Sequence, residues 1–325
     1  MLLLSTGGGG CGQATPGREA LGHDPTDDAG AGGGPDQSET GVGSLPVIVT
    51  AGDISCKGCA QDETAALIQA LSRAERLTAI LPLGDEAYRN GDLAEFQANY
   101  APSWGAPDLL ALTHPVPGNH EYARTDGEGY FDYYDGVGQP AGIAGARGQG
   151  YYSFDIGSWH LIALNTSDGC HAVSCAAGSA QQAWLAADLA AHPTGCALAF
   201  WHNPRYQGGT ESGETEAVGP LWETFHDGGG DLVINAHEHN YQQLAPLDRA
   251  GAADPARGVR TFVVGTGGAG FHTAFGGPRE SAIEARVLRT HGVLELTLLE
   301  GGYRWRFVSV DGVVPDGAAG SASCH

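Results

Sequence analysis

The sequence predicts an α/β layered fold, and three observations predict it. Short apolar runs alternate with amphipathic stretches through the first ordered part of the chain. The last part reads as strands alone. Polar side chains stand where five of the runs end.

Order begins at Pro46-Val47-Ile48-Val49-Thr50-Ala51, a buried-type strand that ends at Gly52-Asp53. From Asp62 to Arg76, residues Ala66, Leu67, Ala70, Leu71 and Ala74 recur at helical spacing. Thr78-Ala79-Ile80-Leu81-Pro82-Leu83 reads as a second strand ending at Gly84-Asp85, Leu93 to Tyr100 as a short helix, and a third strand leads to Gly118. Strand–helix–strand alternation argues for parallel pairing in a layered α/β fold. The middle changes character. Gly150 to Ile156 and Trp159 to Leu164 form a hairpin with its turn at Gly157-Ser158. Ser179 to Ala191 is a helix that Ser179 can cap. The strand Ala197 to Trp201 runs into His202, a helix spans Val218 to Phe225, and the strand Asp231 to Asn235 runs into His237-Glu238-His239. Strands follow at Arg260–Val264, Val293–Leu299 and Tyr303–Val310. With no internal repeat and no linker after residue 45, one domain is expected over 46–325, preceded by a tether or export segment over 1–45. That first segment is rich in Gly, Pro, Asp, Ser and Thr, and has too little apolar surface to offset its ordering entropy.

Lys+Arg 16 against Asp+Glu 38 gives a net charge of −22. This argues against a nucleic-acid or anionic-membrane surface, which needs a basic patch. No stretch has the roughly 18–20 apolar residues of a membrane span. Of the seven cysteines, Cys56/Cys59 and Cys170/Cys175 form tight pairs in polar loops. Six cysteines are read as disulfides of an oxidising compartment, with connectivity left open. Cys56-Lys57-Gly58-Cys59 reads as a loop staple, since nothing around it suggests a thioredoxin unit. Met1-Leu2-Leu3-Leu4 resembles the end of a signal-peptide apolar region, so an exported protein is expected. Cys11 follows small residues and is a candidate lipid anchor, although Gly8-Gly9-Gly10 lacks the aliphatic residue usual before an acylated cysteine.

The five strand ends carry Asp53; Asp85 with Tyr88; Asn119 with His120; His202; and His237 with His239. Sites in open α/β sheets form at the carboxyl ends of strands. Mixed oxygen and nitrogen donors suit first-row transition metals, and there are enough here for two, with one carboxylate able to bridge. Singly, each residue is as well explained by turn chemistry; jointly they are not. Gly265-Thr266-Gly267-Gly268-Ala269-Gly270 has dinucleotide-motif spacing but no following helix, and reads instead as a loop on the site's rim. Asn203, Tyr206 and Tyr241 flank the site residues as candidate substrate contacts. His114, His160, His171, His192, His226, His272 and His291 are expected to be structural or solvated.

Gly52-Asp53, Gly84-Asp85-Glu86-Ala87-Tyr88, Gly118-Asn119-His120-Glu121, His202 and His237-Glu238-His239 resemble, in order, the five motifs of the calcineurin-like metallophosphoesterases. The resemblance is greatest to the purple acid phosphatases. Ser55 stands where the wider superfamily has a histidine, and Tyr88 stands where this branch supplies a tyrosine. Ala236 departs from the glycine usual before His-x-His. The resemblance implies a four-layer αββα sandwich with mixed β-sheets, in a compact single-domain form. It implies one metal, Fe(III), on Asp53, Asp85, Tyr88 and His239. The second, a divalent Fe, Zn or Mn, would lie on Asp85, Asn119, His202 and His237, with Asp85 bridging. His120 would face the phosphate and assist the leaving group, and Glu121 would orient its neighbours. The implied reaction is hydrolysis of a small-molecule phosphate monoester by water activated between the metals. A phosphodiesterase of the same fold, or a metal-binding protein without turnover, are the alternatives.

Overall fold

Val47–Ala51 is buried along its whole length because it lies in the middle of a sheet with apolar layers on both sides. The computed structural model describes residues 44–193 and 195–325, so the expected tether, apart from Ser44 and Leu45, and the candidate anchor Cys11 lie outside the described residues. Ser44–His325 form one unit.

In chain order, β1 (Val47–Ala51), α1 (Gln61–Glu75) and β2 (Ala79–Pro82) make the first crossover. Short elements follow: α2 (Leu93–Glu95), a π-helical turn at Phe96–Tyr100, α3 (Pro107–Leu110), α4 (Glu128–Tyr134) and a small hairpin of β3 (Ala141–Gly142) and β4 (Gly145–Ala146). Next come β5 (Tyr152–Ile156), β6 (Trp159–Ala163), α5 (Ser167–Cys170), α6 (Ala180–Ala191), β7 (Cys196–Phe200), α7 (Gly219–Asp227) and β8 (Leu232–Asn235). The chain ends with β9 (Tyr241–Leu244), β10 (Arg260–Val264), β11 (Ile283–Val287), β12 (Gly292–Leu299), β13 (Gly302–Ser309) and β14 (Ala319–Ser323).

Two mixed sheets result, one of 5 strands ordered β14-β13-β12-β1-β2 and one of 7 ordered β11-β9-β10-β8-β7-β6-β5. The period of two in the central strands explains why they stack. In β7, Cys196, Leu198 and Phe200 enter the core shared by both sheets, while Ala197 and Ala199 enter a second core with Leu185, Leu221 and Phe225 of α6 and α7. β6 divides its residues in the same way, with Leu161 and Ala163 against Ile162. On the outer side of the 5-stranded sheet, α1 buries Ala65, Ile68 and Leu71. The expected αββα sandwich with mixed sheets is therefore present. Each fully buried aliphatic side chain contributes about 1.5–3 kcal/mol to this core. Two indoles fasten sheet to sheet: Trp159 Nε1 donates to Leu299 O at 2.8 Å and Trp305 Nε1 to Gln243 Oε1 at 2.9 Å.

The third expected strand is not one. The segment before Gly118 runs beside β2 and makes three backbone bonds with it, Ile80 N to Leu112 O at 2.8 Å, His114 N to Ile80 O at 2.9 Å and Val116 N to Pro82 O at 3.2 Å. Pro82 has no N–H to return to His114 O, so the ladder lapses there, and Pro115 and Pro117 have none to offer a further strand, so the segment stays an extended edge. It still delivers Asn119 to the same rim. The helix expected over Leu93–Tyr100 begins as α and widens to a π turn at Phe96. Ser179 caps α6 as its sequence predicts, accepting from Gln182 N.

Three disulfides join Cys56–Cys59, Cys170–Cys175 and Cys196–Cys324. The last spans a sequence separation of 128 residues and ties β7 to the segment just after β14. Replacing Cys196 and Cys324 together by alanine is expected to lower the unfolding free energy by about 4 kcal/mol, through the loop-closure entropy returned to the unfolded chain. The check is the urea midpoint with the two short disulfides intact; an unshifted midpoint would contradict it.

Candidate metal centre

Asp53 follows β1 and Asp85 follows β2, and these strands are parallel neighbours. Pairing continues past them, with Asp53 N donating to Gly84 O at 3.0 Å and Ile54 N to Asp85 O at 2.9 Å. The two carboxylates therefore come side by side. The turns that present them are strained. Asp53, Asp85 and His237 have φ of 58°, 52° and 68°, in the left-handed region, which costs on the order of 1 kcal/mol or more per residue. The surroundings hold them there. Asp53 Oδ2 accepts from His237 N at 2.8 Å, and Asp85 Oδ1 from His120 N at 2.9 Å. Gly118 is required by close approach, because a Cβ there would collide with the Asp85 carboxylate. Ala236 lies directly over Gly52, and the pair is accommodated because Gly52 has no side chain.

The donors sort themselves into two groups that meet at Asp85. In the first, the Tyr88 hydroxyl lies 2.9 Å from Asp53 Oδ1, 3.2 Å from Asp85 Oδ2 and 3.2 Å from His239 Nε2. His239 Nε2 is 3.3 Å from Asp53 Oδ1. In the second, His202 Nε2 lies 3.1 Å from Asn119 Oδ1, 3.2 Å from His237 Nδ1 and 3.4 Å from Asp85 Oδ2. One donor atom from each of Asp85, His202 and His237 falls within 4.8 Å of the others. Backbone carbonyls fix the ring orientations. His202 Nδ1 donates to Leu83 O at 2.8 Å and His239 Nδ1 to Gly270 O at 2.6 Å. Each ring thus turns its Nε2 inward, the arrangement that metal-ligating histidines use.

Protons on two histidines balance the buried carboxylates of the pocket. Burial depresses His202, but Asp85 and Asp53 overcome it and lift its pKa to about 9. Burial also depresses His239, which Asp53 lifts to about 9. His237 is pushed down to about 4 by burial and by the neighbouring His202. Burial would raise the Asp85 carboxyl, yet His202 and His120 hold it well below the usual range. Burial and the carboxylates of Asp53 and Asp85 push the Tyr88 phenol well up. Acceptors converge from all sides and retain protons as the only available positive charge. This donor set fits metal ions, which would replace those protons.

The residues around the donors hold them in place. Glu121 Oε2 accepts from Asp85 N at 2.9 Å and from Gly118 N at 2.8 Å, and its Oε1 accepts from Ala87 N at 3.2 Å. The expected orienting contacts of Glu121 are thus backbone bonds that join the second and third motif loops. His120 is half-buried; its Nδ1 donates to Arg89 O at 2.6 Å and its Nε2 lies 3.8 Å from Asp85 Oδ2. The glycine-rich loop does form the rim, with Ala269 N donating to Asp53 O at 2.9 Å. His272, expected to be structural or solvated, has a structural place at the site: its ring stacks on His239 at 4.1 Å with planes 1° apart. No motif marks it, because the contact comes from a loop with no periodic pattern. Two candidate substrate contacts point elsewhere. Tyr206 packs edge-on against Trp222, and Tyr241 lies in the core between the sheets. Asn203 is buried too, its N–H spent on Thr166 Oγ1 at 3.0 Å. Strand alternation explains Tyr241, since an inward residue at the start of β9 must enter that core.

Solved structures share this architecture at low identity. Purple acid phosphatase PPD1 from yellow lupin seeds superposes with a TM-score of 0.69 at 17% identity, over 86% of this chain and 54% of that one. GAP50, the anchor in the inner membrane complex of Plasmodium, gives 0.64 at 15% identity, over 87% and 89%. An uncharacterized Mycobacterium tuberculosis protein, Rv2577, is 28% identical over 191 residues, which is 47% of this chain. The chain spans only 35% of that relative's length. The family profile for calcineurin-like phosphoesterases matches residues 46–241, which take in every donor described above. With that match and the fold agreeing, the chain belongs to the calcineurin-like phosphoesterase family.

Proposed function

We propose that residues 46–325 form the catalytic domain of an exported, binuclear-metal phosphomonoesterase of the purple acid phosphatase kind. The observation that carries this is the division of seven donors into two groups sharing Asp85. Asp53, Asp85, Tyr88 and His239 would hold one metal; Asp85, Asn119, His202 and His237 would hold the other. A phenolate with two carboxylates favours a hard ferric ion, and neutral amide and imidazole donors favour a divalent Fe, Zn or Mn. When bound, the metals supply positive charge for the phosphoryl oxygens and acidify a water. The chain's own groups do the rest. The buried carboxylates and imidazoles would hold the metals in place and so set where the phosphate sits. His120, with Nδ1 anchored on Arg89 O, would present Nε2 to the leaving group and donate a proton to it. The three disulfides support export, since such bonds persist in oxidising compartments.

Asp85→Asn should lose both metals and turnover of a chromogenic phosphate monoester; full activity in that variant would refute the reading. A second comparison separates ligand from acid. His120→Ala should keep two metals and lose rate by about 10²–10⁴-fold, as removal of a general acid does. Asn119→Ala should weaken one metal only, as read by metal content per chain. A third prediction concerns pH. His202 and His239, at about 9, are protonated in the metal-free protein at neutral pH. Loading must expel those two protons and the Tyr88 phenol proton, which burial and the neighbouring carboxylates retain, so affinity should climb as pH rises toward 9 and about three protons should be released at pH 7. Calorimetry in buffers of different ionisation enthalpy measures this; affinity constant between pH 6 and 9 would contradict it.

A further inference from the structure

We infer that the mouth of the metal centre carries a second anion subsite, formed by Lys57 and Arg89. It would select phosphate esters that bear another phosphate or carboxylate on the same molecule. This rests on the phosphoesterase reading above and names its substrate class.

A cavity of about 620 Å³ opens beside the donors, lined by Tyr88 and His239 on its inner side and by Lys57, Arg89 and Asn90 toward solvent. Lys57 is the only lysine in the 325-residue chain. Both cations are exposed, and neither makes an ion pair among the described residues. In a chain of net charge −22, with most described arginines facing a carboxylate, two unpaired cations on one wall beside a phosphate site are unusual.

The backbone beneath each is fixed. Lys57 sits inside the Cys56–Cys59 disulfide loop. That loop is closed by Cys59 N to Cys56 O at 3.2 Å and held from outside by Gln61 Nε2 to Cys56 O at 3.1 Å and Ala60 N to Gly268 O at 2.9 Å. Next to it, Tyr88 N donates to Ser55 O at 2.8 Å, so the loop stands against the phenol's own segment. Arg89 is held by its N–H to Glu95 Oε1 at 2.8 Å and by its carbonyl, which accepts from His120. Glu95 also lines the cavity, but its oxygens are taken by the N–H groups of Arg89, Asn90 and Asp92, so its charge is turned inward. The side chains of Lys57 and Arg89 remain free to reach a ligand. An exposed cation attracts a free anion weakly. On a molecule already anchored by its first phosphate, the second contact is intramolecular and counts for far more.

The test is binding to the metal-loaded protein of two non-hydrolysable probes, phenylphosphonate and benzene-1,4-bisphosphonate, by calorimetry. Wild type should bind the bisphosphonate about tenfold more tightly, the size of one charge-assisted contact. The Lys57→Gln/Arg89→Gln double variant should bring the two probes to within about twofold. Equal binding in wild type, or an undiminished preference in the variant, would overturn the subsite. Phenyl phosphate hydrolysis is followed alongside. A preserved binding preference without hydrolysis supports the subsite and tells against the phosphomonoesterase reading instead.

Discussion

Everything at this rim depends on where one carboxylate is held. Asp85 is buried and takes part in both donor groups. An isolated carboxylate in such a place would protonate rather than stay charged. It stays charged because His202 and His120 face it, and it stays put because its backbone is captured by Glu121. Glu121 in turn spans two loops from different parts of the chain, so the position of Asn119 and the position of Asp85 are set by the same side chain. Burial and the Asp85 charge raise Glu121 itself to about 7. That places a carboxyl near its own titration directly behind Asp85.

The layers explain how five distant segments reach one rim. Parallel pairing of β1 with β2, and of β6, β7, β8 and β10 in the other sheet, points their carboxyl ends the same way. The indole bonds from Trp159 and Trp305 fix one sheet against the other. The first donor group draws Asp53, Asp85 and Tyr88 from the 5-stranded sheet's end and His239 from the 7-stranded sheet's end. A metal on these residues would therefore fasten the two sheets together at their open edge.

Much of this was legible because apolar runs ending in Asp, Asn or His are conspicuous, and a strand end fixes where such a side chain goes. Asp53, Asp85, His202 and His237 follow β1, β2, β7 and β8, as their sequence contexts predict. The segment before Asn119 reads as a strand by hydropathy, which does not register the N–H groups that Pro82, Pro115 and Pro117 lack. β9 was illegible for another reason: Gln242 and Gln243 are buried polar residues satisfied inside the protein, so no alternation shows. β14 is built of Ala, Gly and Ser, with neither β-branched nor aromatic residues to announce it. The stacking of His272 on His239 depends on the path of a long loop, which no local pattern encodes.

The bond between Cys196 and Cys324 draws a boundary through the centre. His202, His237 and His239 lie within the covalent ring it closes, while Asp53, Asp85, Tyr88 and Asn119 lie outside it. All the imidazole donors thus belong to one looped segment and all the oxygen donors to the chain that precedes it. A protease that cuts one bond inside the ring frees no fragment, so the histidines stay tethered to the fold until the disulfide is also reduced.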